Sequence, residues 1–281
     1  MPNGNNPITD QHTVPRVYLK GFSDDNERIL YYDFEKHRYS NGRVKIKDLC
    51  FKKYMYEFYN EAGNKDSVNI IEKHLGKYEV MFSHYCSKLE EMMDSKSSLY
   101  NAWAISDEDI AYWIVYTVIQ YLRSNHTISS LQELLQKMNP DNSKYEIRNT
   151  VLFNCLPLFI HKEDRKTYVF DRILDWFLEM DFSVVLSPNY EFITSDNPVC
   201  GIANDKFKIN RFVFPITKNI AVQFIDKTDA GFQNKNTITN VSEDFVETVN
   251  FHIGVKAEKQ IYFERIAESL IERIERERSH L

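Results

Sequence analysis

The apolar positions of this chain keep two periods, and the change from one to the other divides it. Ile71, Leu75, Tyr78, Phe82, Tyr85 and Leu89 recur in steps of three and four, which is the spacing of one helix face. Asp66 stands ahead of them as the expected cap. Ser106-Asp107-Glu108-Asp109 reads as a variant capping box opening a second helix, with its acids at the favoured positive end. That helix runs from Ile110 to about Ser124 and is apolar nearly all round, through Trp113, Ile114, Val118, Ile119 and Leu122. It is therefore expected at the centre of the core. Further helices are expected around 129–138, 145–156 and 168–180, the middle one stopped by Pro157.

On either side of this helical middle the pattern shortens to strands. Residues 28–34 and 44–47 read as a strand and its return, with Asn41-Gly42 as the hairpin signal. Residues 17–22 form a short helical or extended turn after Pro15. In the last third, 182–186 and 191–194 flank Ser187-Pro188-Asn189 as a hairpin, and 210–216 and 219–224 flank Thr217-Lys218 as another. Ser242 is placed to cap a helix reaching about Lys256. Residues 260–263 read as a strand, and 264–278 as a charged amphipathic helix whose narrow stripe is Ile266, Leu270 and Ile274. The expected architecture is α+β: a helical middle with antiparallel strands at the N-terminus and in the C-terminal third. It is read as one domain over 1–281, with a flexible start over 1–10 and a peripheral helix over 264–281.

Composition narrows the classes. Hydrophobic residues make up 43% and charged residues 27%, and the aromatic share of 14% predicts a large core with polar-tipped rings. A net charge of −6 disfavours a broad non-specific grip on nucleic acid but leaves room for a local basic groove. Cys50, Cys86, Cys155 and Cys200 are far apart and form no CxxC pair, so four reduced thiols in a cytoplasmic protein are expected. The first residues lack the basic and apolar regions of a signal peptide. The longest apolar stretch, near 110–122, falls short of the ~20 residues a membrane span needs.

Two segments carry unusual polar chemistry. Gln11-His12-Thr13-Val14-Pro15-Arg16 sets a histidine four residues before an arginine across a proline, and Thr194-Ser195-Asp196-Asn197-Pro198 closes a strand. His12 is a candidate general acid or base, or a surface or capping histidine. Arg16 is a candidate bidentate clamp for phosphate or carboxylate, or half of an ion pair at a helix start. Gln120 and Arg123 lie three apart on the most buried helix, hence on one face. A buried guanidinium there needs a carboxylate or a ligand anion; Glu57, Glu72 and Glu79 are its possible partners. Asp196 is either a structural Asx turn or a carboxylate presented at a strand end for catalysis. Asn197 adjoins it, and Asn250, mid-helix among apolar neighbours, must be hydrogen-bonded and is placed to tie its helix to the Asp196 turn.

These residues together resemble a known family. His12-x-x-Pro15-x-x-Tyr18-Leu19-x-x-Phe22, Tyr56-Glu57, Ile71-Glu72-Lys73, Gln120-x-x-Arg123, the run from Phe192 to Pro198, Phe214-Pro215-Ile216 and Asn250 look like the bacterial domain-of-unknown-function 4238 family, DUF4238. The resemblance runs from about Gln11 to Phe263. Thr13 replaces a common aromatic, and Ser124 stands where Thr-Pro often follows the arginine. The resemblance implies one domain with a shared set of polar positions and no reaction. The function expected from the residues is a nuclease or nucleotide-processing enzyme, as an effector in bacterial defence against phage. In that reading His12, Asp196 and Glu57 are catalytic, and Arg16, Gln120, Arg123, Asn197 and Asn250 hold the ligand. The cofactor is unknown, with a divalent metal as one option. The alternatives are a non-catalytic module for an anionic small ligand or partner protein, and a buried network that only specifies the fold. Nucleic acid or a nucleotide is the expected partner, no membrane is, and the C-terminal helix is a candidate route to a homo-oligomer.

Overall fold

In a computed structural model of the chain, the residues described are 8–67, 69–94, 105–156, 168–203, 208–228, 236–266 and 268–280. The expected stop at Pro157 and residues 1–7 of the expected flexible start lie outside them. Strand β1 (Asp10–His12), the short helix α1 (Arg16–Leu19), β2 (Arg28–Asp33), β3 (Arg38–Tyr39), β4 (Val44–Lys45) and β5 (Phe51–Lys53) come first. Then β6 (Phe58–Tyr59) and β7 (Lys65–Ser67) form a small ribbon. β1 pairs with β5, which sets His12 opposite Phe51 and Gln11 opposite Lys52.

Two expectations change here. β3 and β4 both pair with β2, so the hairpin reverses over 34–37, where His37 has a φ of 47°. Asn41-Gly42 only interrupts the return strand. Asp66 does not cap a helix, because β7 occupies it; the following helix α2 (Ile70–Asp94) starts after Asn69, whose φ of 60° makes the corner.

The helical middle follows the sequence pattern closely. α3 (Asp107–Arg123) opens on Ser106, whose hydroxyl accepts the Asp109 N–H as a capping box requires. α4 (Asn125–Met138), α5 (Lys144–Cys155) and α6 (Val169–Leu178) come next. α2 and α3 join through rings: Tyr85 stacks on Tyr112 at 3.9 Å, and Phe82 meets Tyr116 at 4.9 Å and Trp113 at 5.9 Å.

The last third builds two sheets. β8 (Asp181–Leu186), β9 (Thr194–Ser195), β10 (Cys200–Ala203), β11 (Ile209–Pro215), β12 (Ile220–Ile225) and β13 (Ile238–Asn240) precede α7 (Glu243–Lys256), β14 (Gln260–Phe263) and α8 (Glu268–Arg278). One five-stranded sheet has the order β10-β11-β12-β8-β13, antiparallel except for the parallel pair β13–β8. β11 and β12 form the expected hairpin. The other sheet runs β3-β2-β14-β9, with β4 also on β2. β8 and β9 thus belong to different sheets, and Ser187-Pro188-Asn189 begins a crossing rather than a hairpin turn. The Ile193 N–H spends itself on Asn250 Oδ1 in that crossing, which leaves it no part in a ladder with β8.

One core runs through both parts. Phe177 of α6 packs on Phe212 and Phe224 at 4.8 Å each, and all three are fully buried. Burial of a ring of this size stabilises by roughly 1.5–3 kcal/mol. α8 lies on α7: Ile274 is fully buried, and a Cβ on Gly254 would stand 2.3 Å from its Cδ1. Leu270 and Ile274 of the expected stripe are buried within the chain, and Ile266 is half-buried. Among the described residues no helix is long and apolar enough to cross a membrane.

Candidate functional site

Arg123, at the last turn of α3, is 1% exposed. Its Nη1 donates to Glu79 Oε1 at 2.9 Å, and its Nη2 donates to the His12 carbonyl at 2.6 Å. Nε reaches the Tyr56 hydroxyl at 3.4 Å, and that hydroxyl donates back to the Arg123 carbonyl at 3.1 Å. The guanidinium thereby fastens α3 to α2 and β1. Of the three acids weighed as its partner, Glu79 is the ion pair. Glu72, seven residues back on α2, has no cation in contact. Burial pushes its carboxyl up to about 7, against the pull of Arg123 and with a push from Glu79 and Glu57. His12 moves the other way. Burial lowers its pKa, a hydrogen bond to the Lys47 backbone opposes this, and Arg16 and Arg123 add to the lowering. At neutral pH the site therefore holds a neutral imidazole and a carboxyl poised to carry a proton.

Among the described residues, His12 Nε2, Glu72 Oε2 and Tyr116 Oη, all within electrostatic reach of Arg123, are buried without a hydrogen bond, as are Thr117 Oγ1 and both amide atoms of Gln120 earlier on α3. Buried polar atoms are normally paired, and leaving one unpaired costs about 1–3 kcal/mol. Unpaired buried groups of this kind are candidates to meet a ligand or water. Glu72 and His12 are only partly buried as residues.

The other predicted residues do different work. Glu57 is fully buried, and its carboxylate accepts the Gln11 amide at 2.6 Å and the Asn69 N–H at 3.2 Å, at the start of α2. Asp196 accepts three backbone N–H groups, from Glu258, Lys259 and Gln260, at 2.8, 2.7 and 3.0 Å. Burial raises its pKa to about 6, although those three donors pull it down. Asn197 Nδ2 donates to the Lys256 carbonyl at 3.1 Å. Asn250 accepts from the Ile193 N–H at 2.9 Å and donates to the Glu191 carbonyl at 2.9 Å. These four were expected as catalytic or ligand-holding groups. Their polar atoms are committed to neighbouring backbone and side-chain groups, as fastenings are; only Asn197 Oδ1 is left over. Arg16 stands at the surface, at the start of α1. Its side chain is 48% exposed and pairs with Glu27 at 3.7 Å, the helix-start ion pair that was weighed for it.

A cleft of about 430 Å³ separates the two motif regions. Thr13, Cys50, Lys52, Asn125, Asp196 and Glu258 are among its walls, and the His12 and Arg123 side chains are not. The segments of the expected shared site thus converge while its side chains divide between this cleft and the buried cluster. Lys52 donates to Asn125 at 2.7 Å, and Asn125 donates to Glu258 at 2.5 Å, across the cleft.

Three signals escaped the sequence reading. Gln11 is fully buried and joins Glu57 to the Tyr56 N–H. Tyr116 and Thr117 share the helix face of Gln120 and Arg123, a polar-tipped series legible at helical spacing. Arg278 of α8 donates to the carbonyls of Gly254, Val255, Ala257 and Glu258 at 3.2, 3.1, 2.5 and 3.1 Å. It holds from one side the loop that Asp196 holds from the other. The charge distribution around His12 is also uneven. Residues 43–53 carry Arg43, Lys45, Lys47, Lys52 and Lys53 against the single acid Asp48, within a chain of net charge −6. Lys45, Lys47, Lys52 and Lys53 are all exposed. Among the described residues no group of three or more His, Cys, Asp and Glu side chains is placed to hold a metal ion.

A family model described as a protein of unknown function (DUF4238) matches residues 10–266. No curated protein and no solved structure matches the chain.

Proposed function

This chain belongs to the DUF4238 family, and from the chemistry of its own site we propose that it is a nucleotide-processing enzyme or nuclease working by general acid–base catalysis. The observation that carries the reading is the set of unpartnered groups: His12 Nε2 and Glu72 Oε2, within electrostatic reach of the buried Arg123, and the Gln120 amide three residues before it on α3. In this reading the neutral His12 imidazole takes the proton of the attacking hydroxyl. Glu72 returns a proton to the departing oxygen, Arg123 holds the His12 backbone in place through its carbonyl, and Gln120 offers its unpaired amide to the bound molecule. The exposed Lys45, Lys47, Lys52 and Lys53 draw an anionic substrate to this face of an otherwise acidic protein. Cys50, Cys86, Cys155 and Cys200 are free thiols, which suits a reducing cytoplasm. Destruction of nucleotides or nucleic acid there is also what a phage-defence effector would do.

The test is incubation of the purified protein with RNA, DNA and nucleotides, with and without a metal chelator. Turnover should persist in chelator and be lost in His12→Ala and Glu72→Gln, both still folded. Binding without turnover would leave the non-catalytic reading, a module for an anionic ligand, which the basic rim also suits. Neither binding nor turnover would overturn both.

A further inference from the structure

We infer that the chain has a second binding site, for a zwitterion with an apolar body: an apolar amino acid or a short apolar peptide. The site is a hollow of about 540 Å³ between α7, the residues that open α8 and the crossing from β8 to β9. That volume lies in the range of ordinary ligand pockets. His12, Glu72 and Arg123 are not in its walls, so either site can stand without the other. Ile193, Val246 and Leu270 give it a lining of buried apolar side chains, which the half-buried Ile266 extends. A ligand made only of charges would leave that lining in contact with water.

Charges of both signs stand in the same walls. Glu191 has one carboxylate oxygen, Oε2, buried with no hydrogen-bond partner. Its other oxygen is 3.9 Å from Lys218 Nζ, and Lys218 is in closer contact with Glu264. Asn250, 6% exposed and also in the wall, donates to the Glu191 carbonyl and accepts the Ile193 N–H, both at 2.9 Å. The backbone that carries Glu191 is thus pinned to α7 beside the hollow. Glu243 accepts the Tyr190 phenol, while Glu247 is matched by Arg273. Glu191 and Glu243 are therefore the carboxylates placed to take an ammonium group, which forms strong charge-assisted bonds to both. Arg265, exposed in the same walls, presents the donor fork that a carboxylate accepts in two parallel bonds. An alkylammonium alone would be opposed by Arg265, and a carboxylate alone by the glutamates. A molecule with an ammonium, a carboxylate and an apolar side chain meets every part of the lining.

The test is calorimetric titration of the full chain with leucine, phenylalanine and leucyl-leucine. Three partial ligands accompany them: leucinamide lacks the carboxylate, N-acetylleucine the ammonium, and glycine the side chain. The wild type is compared with Glu191→Gln and Arg265→Gln, both at positions in contact with solvent, so the fold should survive. At least one of the three complete ligands should bind, and each partial ligand should bind about tenfold or more weakly than leucine. Each substitution should weaken the complete ligand by about tenfold. Residual binding of N-acetylleucine should be indifferent to Glu191→Gln, and that of leucinamide to Arg265→Gln. Leucine binding more tightly than leucyl-leucine would identify a free amino acid, and the reverse order a peptide. The inference is overturned if the wild type binds none of the three, or if leucinamide or N-acetylleucine binds as tightly as leucine. It is overturned too if both substitutions leave binding within about twofold of wild type.

Discussion

The buried cluster at Arg123 and the turn at Asp196 looked alike in the sequence and differ in how their polar atoms are spent. At the turn, the Asp196 carboxylate takes three backbone N–H groups, and Asn250 uses both ends of its amide. Around Arg123 and three residues earlier on α3, His12 Nε2, Glu72 Oε2 and the Gln120 amide are left without partners. Unusual residue chemistry marks both a fastening and a site. Hydrogen-bond accounting separates them in degree: of the turn's Asp196, Asn197 and Asn250 only Asn197 keeps an unpaired buried atom, whereas His12, Glu72 and Gln120 all do.

The largest effect expected on this contrast is at Arg123. Arg123→Ala removes the ion pair to Glu79 and the bond to the His12 carbonyl, and should cost about 3–5 kcal/mol in denaturant unfolding. The lower end is expected, because the Glu79 side chain is 29% exposed and can rehydrate. An unchanged unfolding midpoint would contradict it. Asp196→Ala strands three N–H groups of one loop and should cost about 3 kcal/mol. Arg278→Ala frees the carbonyls on the other side of that loop and should cost about 2 kcal/mol. If only one of the two loosened the loop, as judged by amide exchange at 256–260, the two-sided clamp would be wrong.

A smaller effect follows pH. The Glu72 carboxyl holds its proton in the folded state up to about 7, against an ordinary value of 4.5. The folded protein thus binds more protons than the unfolded chain between those values. Its contribution is fully present below about 4.5 and is lost as pH rises through about 7. The loss should be about 1–2 kcal/mol after allowance for partial exposure. Subtracting the Glu72→Gln profile from that of the wild type isolates it, and a difference that is flat over this window would refute the assignment. The smallest effect is at Gln120. Gln120→Leu should change stability by less than about 1 kcal/mol, in either direction, because no bond made within the chain is lost.

Much of the fold was legible. The steps of three and four predicted α2, and the Ser106–Asp109 box located the start of α3. Thr217-Lys218 marked the β11–β12 hairpin, and Ser242 the cap of α7. Asn41-Gly42 and Ser187-Pro188-Asn189 misled, because a turn signal says that the chain bends and not which strands it then joins. β2 and β9 found their partner β14 across more than sixty residues, a pairing no local pattern carries. The proposed site was half legible. His12, Gln120 and Arg123 were singled out by residue type and spacing, and Glu72 was weighed only as a partner for the arginine. For Asp196, Glu57 and Asn250 the partners were not legible, because they are mostly backbone groups, which leave no trace in the residue pattern.

The most direct test compares His12→Ala with Asp196→Asn in turnover of an RNA oligonucleotide and of nucleotides, per folded molecule, at a temperature where both are native. The account predicts that His12→Ala keeps its stability and loses turnover. Asp196→Asn should melt lower yet turn over substrate within about threefold of wild type. An active His12→Ala, or a fully folded but inactive Asp196→Asn, would put the chemistry at the turn and contradict the account.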